Sequence, residues 1–245
     1  MGCSHCISDA KPDGKHMAKE VFLDVLEFLR KNGLYQNLVI SGGEPTEHPE
    51  FEGFMEILID FLKKNQFAGI VTITTNGFWI LEHPEKALEI VNASDSFQIF
   101  FQVSTDSRYY PKELPVHKRI WREKGFALFE DCVKQMYPLG RAKENGYPSN
   151  RISSHCFNIR AIAKQLPTGS TFQDIVKKLE SAGKFCTPAI RIDGGISLGE
   201  SDLCPKCSSI YAGSDQEIVA RILGFKCHIC DSINDGLPEM YQRFL

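Results

Sequence analysis

Leu38-Val39-Ile40-Ser41-Gly42-Gly43-Glu44-Pro45 is the stretch that decides the fold. Its first three residues form a short, wholly apolar strand run, and Ser41-Gly42-Gly43 closes it. Two glycines there let the backbone approach a ligand with no Cβ in the way. Upstream, Phe22, Val25, Leu26 and Leu29 stand at i, i+3, i+4 and i+7, predicting a helix that Asn32-Gly33 stops. Downstream, Phe51, Phe54, Met55, Leu58, Ile59 and Leu62 repeat the helical pattern, with Glu47-His48-Pro49 as the turn that opens it.

The alternation continues. Ile70 to Thr74 is β-rich and ends at Asn76-Gly77, Pro84 to Val91 reads as a helix, and Phe97 to Val103 is another apolar strand. Strand starts recur about every thirty residues, the length of a βα unit with a parallel crossover. Each strand ends in a polar loop: Ser41-Gly42-Gly43-Glu44, Thr75-Asn76-Gly77 and Ser104-Thr105-Asp106. That is the end at which parallel α/β sheets build their sites. Further on, the pattern predicts a helix over Trp121 to Met136, a polar connection over Gly140 to Asn150 and a later strand over Arg151 to Ile159. From about Lys184 it predicts a hairpin, Ala189 to Ile192 and Ile196 to Leu198 about a turn at Asp193-Gly194-Gly195, then a helix from Asp215 to Leu223.

The chain has 245 residues, 42% hydrophobic and 24% charged, with a formal net charge of -3. That balance gives no overall electrostatic footprint for nucleic acid or an anionic membrane. The most basic stretch, His117 to Lys124, is interrupted by Ile120 and Trp121 at helical spacing and reads as a solvated helix face. No apolar run reaches the roughly 18 residues that cross a bilayer, and the first twenty residues lack a signal peptide's apolar core. A cytoplasmic location is expected, with neither nucleic acid nor membrane as partner. Met1-Gly2-Cys3 is no myristoylation signal, because Cys6 stands where Ser or Thr is required.

Nine cysteines are many for a reducing compartment, where clustered thiols more often hold metal than form disulfides. Three C-x2-C pairs occur, Cys3/Cys6, Cys204/Cys207 and Cys227/Cys230, while Cys132, Cys156 and Cys186 stand alone. No H-E-x-x-H site is present.

Cys3-Ser4-His5-Cys6, Gly42-Gly43-Glu44-Pro45, Thr75-Asn76-Gly77 and Ser104-Thr105-Asp106, taken in order at successive strand ends, resemble the radical S-adenosylmethionine (SAM) superfamily. Singly they read as a metal half-site, a turn, a second turn and a helix N-cap. The resemblance implies a partial (β/α)6 TIM-type barrel over residues 1–183 and a small Cys-rich extension over 184–245. It implies a 4Fe-4S cluster held by a C-x3-C-x2-C loop, with SAM chelating the open iron. Cys3 and Cys6 match the last two cysteines, and His5 matches the aromatic position beside the adenine. Gly42, Gly43, Glu44 and Pro45 match the segment that receives the methionyl ammonium. Ser104 and Asp106 suit ribose hydroxyls, and Thr75 and Asn76 shape the pocket. The first cysteine of the pattern would fall two residues upstream of Met1. A longer frame is therefore expected, with the first barrel strand ahead of Met1.

Cys186, twelve residues, Gly199, four residues and Cys204 resemble the opening of the SPASM and twitch extensions that hold auxiliary clusters in peptide-modifying relatives. Cys227-His228-Ile229-Cys230 resembles their next element, without the two further cysteines that follow it there. One auxiliary 4Fe-4S cluster on Cys186, Cys204, Cys227 and Cys230 is implied, with Cys207 a competitor. A four-cysteine zinc ribbon on Cys204, Cys207, Cys227 and Cys230 fits the spacing as well. Two functions follow. One is an oxidoreductase that cleaves SAM reductively to a 5′-deoxyadenosyl radical, which abstracts hydrogen from a small-molecule, peptide or protein substrate, with a flavodoxin- or ferredoxin-type electron donor. The other is a truncated, inactive relative with a structural zinc ribbon.

Overall fold

In the computed structural model, residues 2–6, 10–33, 37–104, 110, 113, 125–129, 140–147, 166–181, 188–198 and 205–225 are described. They fall into two units, Met1–Gly14 with Leu34–Met136, and Lys15–Gly33 with Tyr137–Leu245. The boundary expected at 183/184 falls outside the described residues.

The first unit is built on strands β1 (Asn37–Ile40), β2 (Ile70–Thr75), β3 (Gln98–Ser104) and β4 (Phe126–Phe129). All neighbours are parallel and the order is β1-β2-β3-β4. Helices α2 (Phe51–Lys64), α3 (Phe78–Glu82) and α4 (Pro84–Val91) lie between the strands in sequence, the α/β alternation that parallel crossovers require. Burial alternates along the strands. Val71, Ile73 and Thr75 on β2, with Ile99, Phe101 and Val103 on β3, are buried, whereas Thr72, Thr74, Phe100 and Gln102 between them are half-buried. The core grows from the buried face. Phe51 of α2 meets Trp79 edge-on at 5.0 Å, Trp79 stacks on Phe101 at 6.2 Å, and Phe101 stacks on Phe126 at 5.7 Å. Phe51, Met55, Leu58, Ile59 and Leu62 are all buried, so α2 turns the face marked by its periodicity inward.

Two expectations are corrected here. Phe126–Phe129 is a strand paired with β3, within the stretch read as the helix Trp121 to Met136. A four-residue apolar run in a parallel sheet has the same pattern as a piece of buried helix, so periodicity could not separate them. Gly125 fixes the entry to that strand. Its φ is +96°, and a Cβ there would collide with Val91 Cγ1. Within the predicted polar connection, Gly140–Glu144 is helix α5, because Arg141, Ala142, Lys143 and Glu144 favour helix and Ala142 is buried. The strand expected over Arg151 to Ile159 lies outside the described residues, as do Cys132 and Cys156.

The second unit contains α1 (Lys19–Asn32), α6 (Phe172–Ser181), an antiparallel sheet of β5 (Ala189–Ile190), β6 (Gly195–Ser197) and β7 (Lys206–Ser209), and α7 (Asp215–Leu223). The predicted hairpin and final helix are both present. The first helix joins this unit rather than the parallel sheet. Phe28 meets Phe172 edge-on at 5.2 Å, and the Asp24 carboxylate accepts from the Tyr211 hydroxyl at 2.8 Å. Ser214 and Glu217 form a reciprocal capping box at the start of α7, which buries Ile218, Val219 and Ile222. Among the described residues, no helix is long and apolar enough to cross a membrane.

Candidate functional site

Because β1, β2 and β3 are adjacent and parallel, their C-terminal ends lie side by side, about 4.8 Å from strand to strand. Gly42 and Gly43 follow the first, Thr75 and Asn76 close the second, and Ser104 ends the third. Ser104, Thr75 and Asn76 are all buried, polar groups gathered along one sheet edge. Asp106 lies outside the described residues.

The Gly-Gly turn depends on its glycines for two different reasons. Gly42 has φ +143°, a region L side chains rarely adopt, and open space stands where its Cβ would be. A Cβ on Gly43 would lie 2.8 Å from Cβ of Ala10. The turn is thus pressed against the segment that follows the first cysteine pair. Cys3 and Cys6 are half-buried and bracket a tight turn at Ser4-His5, in which the Cys6 amide donates to the Cys3 carbonyl at 3.3 Å. The His5 ring sits edge-on to Tyr110 at 5.1 Å.

Glu44 joins two of these loops. Its Oε1 accepts from the Thr46 amide at 3.2 Å, the Thr46 hydroxyl at 2.7 Å and the Thr75 hydroxyl at 2.7 Å, and its Oε2 accepts from the Asn76 amide at 2.7 Å. Burial pushes this carboxyl above the ordinary glutamate range, against the four hydrogen bonds, each of which favours the ionised form. Pro45 starts the 3-10 turn Pro45–Glu47, whose N-cap is Glu44. The Thr75 hydroxyl accepts from the Gly77 amide at 3.1 Å, and Asn76 Oδ1 accepts from the Phe78 amide at 3.0 Å, so both residues shape the loop.

Sequence reasoning missed Ala10, Thr46 and Tyr110. Only Thr46 carried a signal, a hydroxyl two residues after the carboxylate it caps, the spacing of a local side-chain turn. At the other end of the chain, Cys186, Cys204, Cys227 and Cys230 lie outside the described residues. Cys207 is the extra residue of a β-bulge, since Ile196 pairs with Ser208 and Ser197 with Lys206. Its thiol donates to the Ile196 carbonyl at 3.3 Å, and burial pushes its pKa up to about 11.

Among the described residues, no group of three or more His, Cys, Asp and Glu side chains is placed to hold a metal ion. Cys3 and Cys6 nevertheless present two thiols from a single turn, the soft donors that iron-sulfur clusters take. At the strand ends the space above Gly42 is open and the hydroxyl and amide groups of Thr75, Asn76 and Ser104 are gathered, so the residues present supply two of a cluster's thiolates and a polar edge that suits an organic ligand. No curated protein matches the sequence. The family model for the Radical SAM superfamily, whose members are generally enzymes and which implies a 4Fe-4S cluster and SAM, matches residues 1–149. Those residues include the cysteine turn, the Gly-Gly turn and all three strand ends, and with 149 of 245 residues matched the chain belongs to the radical SAM superfamily.

Proposed function

We propose that the protein is a radical SAM enzyme acting on a peptide or protein substrate, and that the parallel-sheet edge is its cofactor site. The single observation that carries this is the meeting of the cysteine-bearing segment with the Gly-Gly turn, at Ala10 and Gly43. When bound, the cluster and SAM supply reductive cleavage to methionine and a 5′-deoxyadenosyl radical that abstracts a substrate hydrogen. Cys3 and Cys6 supply thiolates, His5 flanks the adenine, Gly42 to Pro45 receive the methionyl end, and Ser104 with Asp106 takes the ribose hydroxyls. In this reading residues 1–183 form a partial (β/α)6 barrel, and a one-electron donor of flavodoxin or ferredoxin type serves it.

A peptide substrate is favoured by two features. One is the resemblance of the cysteines from Cys186 onward to auxiliary-cluster extensions. The other is the second face of the parallel sheet, where Thr72, Thr74 and Gln102 offer uncharged hydroxyl and amide groups that suit peptide amides. For the extension we favour one auxiliary cluster on Cys186, Cys204, Cys227 and Cys230. The engagement of the Cys207 thiol with the Ile196 carbonyl supports the set that omits it.

The test is anaerobic reconstitution with iron and sulfide, of the 245-residue chain and of a chain carrying Cys-x ahead of Met1 to complete C-x3-C-x2-C. The completed chain is expected to show a 4Fe-4S spectrum perturbed by SAM and to form 5′-deoxyadenosine with dithionite. Cys3→Ser and Cys6→Ser should abolish both. Absence of both signals in the completed chain overturns the proposal, and zinc in place of iron and sulfide in the 184–245 region overturns the auxiliary cluster.

A further inference from the structure

Glu44 leaves the Gly-Gly turn and ends in four hydrogen bonds that belong to two different loops. Three of them converge on Oε1 and share its two lone-pair directions. The fourth holds Oε2 to the first residue after β2. Bonds to an ionised acceptor are about twice as strong as neutral ones, and the turn they hold, Gly42-Gly43, has little conformational restraint of its own. The network continues beyond the carboxylate. Thr75, buried on β2, passes its lone pair to the Gly77 amide, and Asn76 holds the Phe78 amide at the start of α3. We infer that Glu44 is a positioning residue whose carboxylate locks the Gly42-Gly43 turn to the end of β2, so that these two parts of the site open and close as one. The ligand half of its test rests on the cofactor site proposed above; the lock itself does not.

The experiment is amide hydrogen exchange on the full chain without cofactor, comparing wild type, Thr75→Val, Thr75→Ser and Glu44→Gln. Thr75→Val keeps the shape of the side chain and removes one donor from Oε1. It is expected to speed exchange of the Thr46 amide, on the other loop, about tenfold, the equivalent of one lost hydrogen bond to a charged group. The Val71 and Ile73 amides inside β2 should be unchanged, and Thr75→Ser should restore protection at Thr46. Glu44→Gln, which turns one of the two acceptor oxygens into a donor, should expose at least one of the Thr46 and Asn76 amides. An unchanged Thr46 rate in Thr75→Val overturns the inference. On reconstituted chain, Thr75→Val and Glu44→Gln are expected to weaken SAM binding by similar factors. A loss confined to Glu44→Gln overturns it too, because the carboxylate would then be reading the ligand directly. If Thr46 and Asn76 respond as expected while no variant, wild type included, binds SAM, the lock stands and the cofactor assignment fails.

Discussion

Gly43→Ala adds one methyl group where the structure leaves no room for it. The new Cβ would stand 2.8 Å from Cβ of Ala10, whereas two such carbons rest at about 3.5–4.0 Å. One side must therefore yield by about 1 Å. The backbone itself does not resist, since Gly43 is not among the glycines with positive φ, so the effect is steric alone. Overpacking of this kind costs about 1–3 kcal/mol, which is about 5- to 150-fold in an equilibrium. Whatever yields, the contact between the Gly-Gly turn and the cysteine-bearing segment is lost or displaced. Iron and sulfide per chain after anaerobic reconstitution, in the chain completed with Cys-x ahead of Met1 and followed under a chelator challenge, measure the outcome, with thermal unfolding as a control. Gly43→Ala should release iron at least fivefold faster than wild type. The double variant Ala10→Gly/Gly43→Ala removes the opposing methyl group and should recover most of the loss. Wild-type iron retention in Gly43→Ala, or no rescue by Ala10→Gly, would refute the reasoning.

Two further outcomes are expected. Phe101→Ala empties a fully buried position between Trp79 and Phe126 and should cost about 3–5 kcal/mol in urea unfolding; a cost below about 1 kcal/mol would show that the aromatic column is not the core. With its thiol pushed up to about 11, Cys207 in metal-free chain should be thiolate in about one molecule per thousand at pH 8 and alkylate about a hundredfold more slowly than an ordinary cysteine. The same shift favours the folded state below the ordinary thiol range and loses that contribution as pH climbs from about 8.5 toward 11. Rapid alkylation of Cys207 at pH 8 in folded, metal-free chain would show that the Ile196 hydrogen bond does not hold.

Much of this was legible along the chain. The strands at Leu38, Ile70 and Phe97 and the helices at Phe51, Pro84 and Asp215 follow from local periodicity, because a side chain's preference for one face repeats every second residue in a strand and every third or fourth in a helix. The parallel arrangement follows from spacing, and with it the gathering of Gly42, Thr75 and Ser104 along one sheet edge. The family was legible for the same reason: its motifs sit at strand ends that the pattern had already located.

What sequence left open depended on partners distant in the chain. Phe126–Phe129 is a strand only because β3 offers it a hydrogen-bonding edge, and Lys206–Ser209, with a cysteine and two serines among its four residues, becomes one only by pairing with β6. The first helix has an apolar face at Phe22, Val25, Leu26 and Leu29, yet nothing local says that Phe28, which stands outside that set, is buried against the α6 residue Phe172. The role of Glu44 was hidden likewise. Sequence fixed its place beside the Gly-Gly turn, but only the register of β1 on β2 brings the Thr75 hydroxyl and the Asn76 amide to its two oxygens. Residue types and their spacing determine which groups are available for chemistry; long-range packing decides which of them meet, because hydrogen bonds and close contacts act over a few ångströms and sequence distance does not measure that.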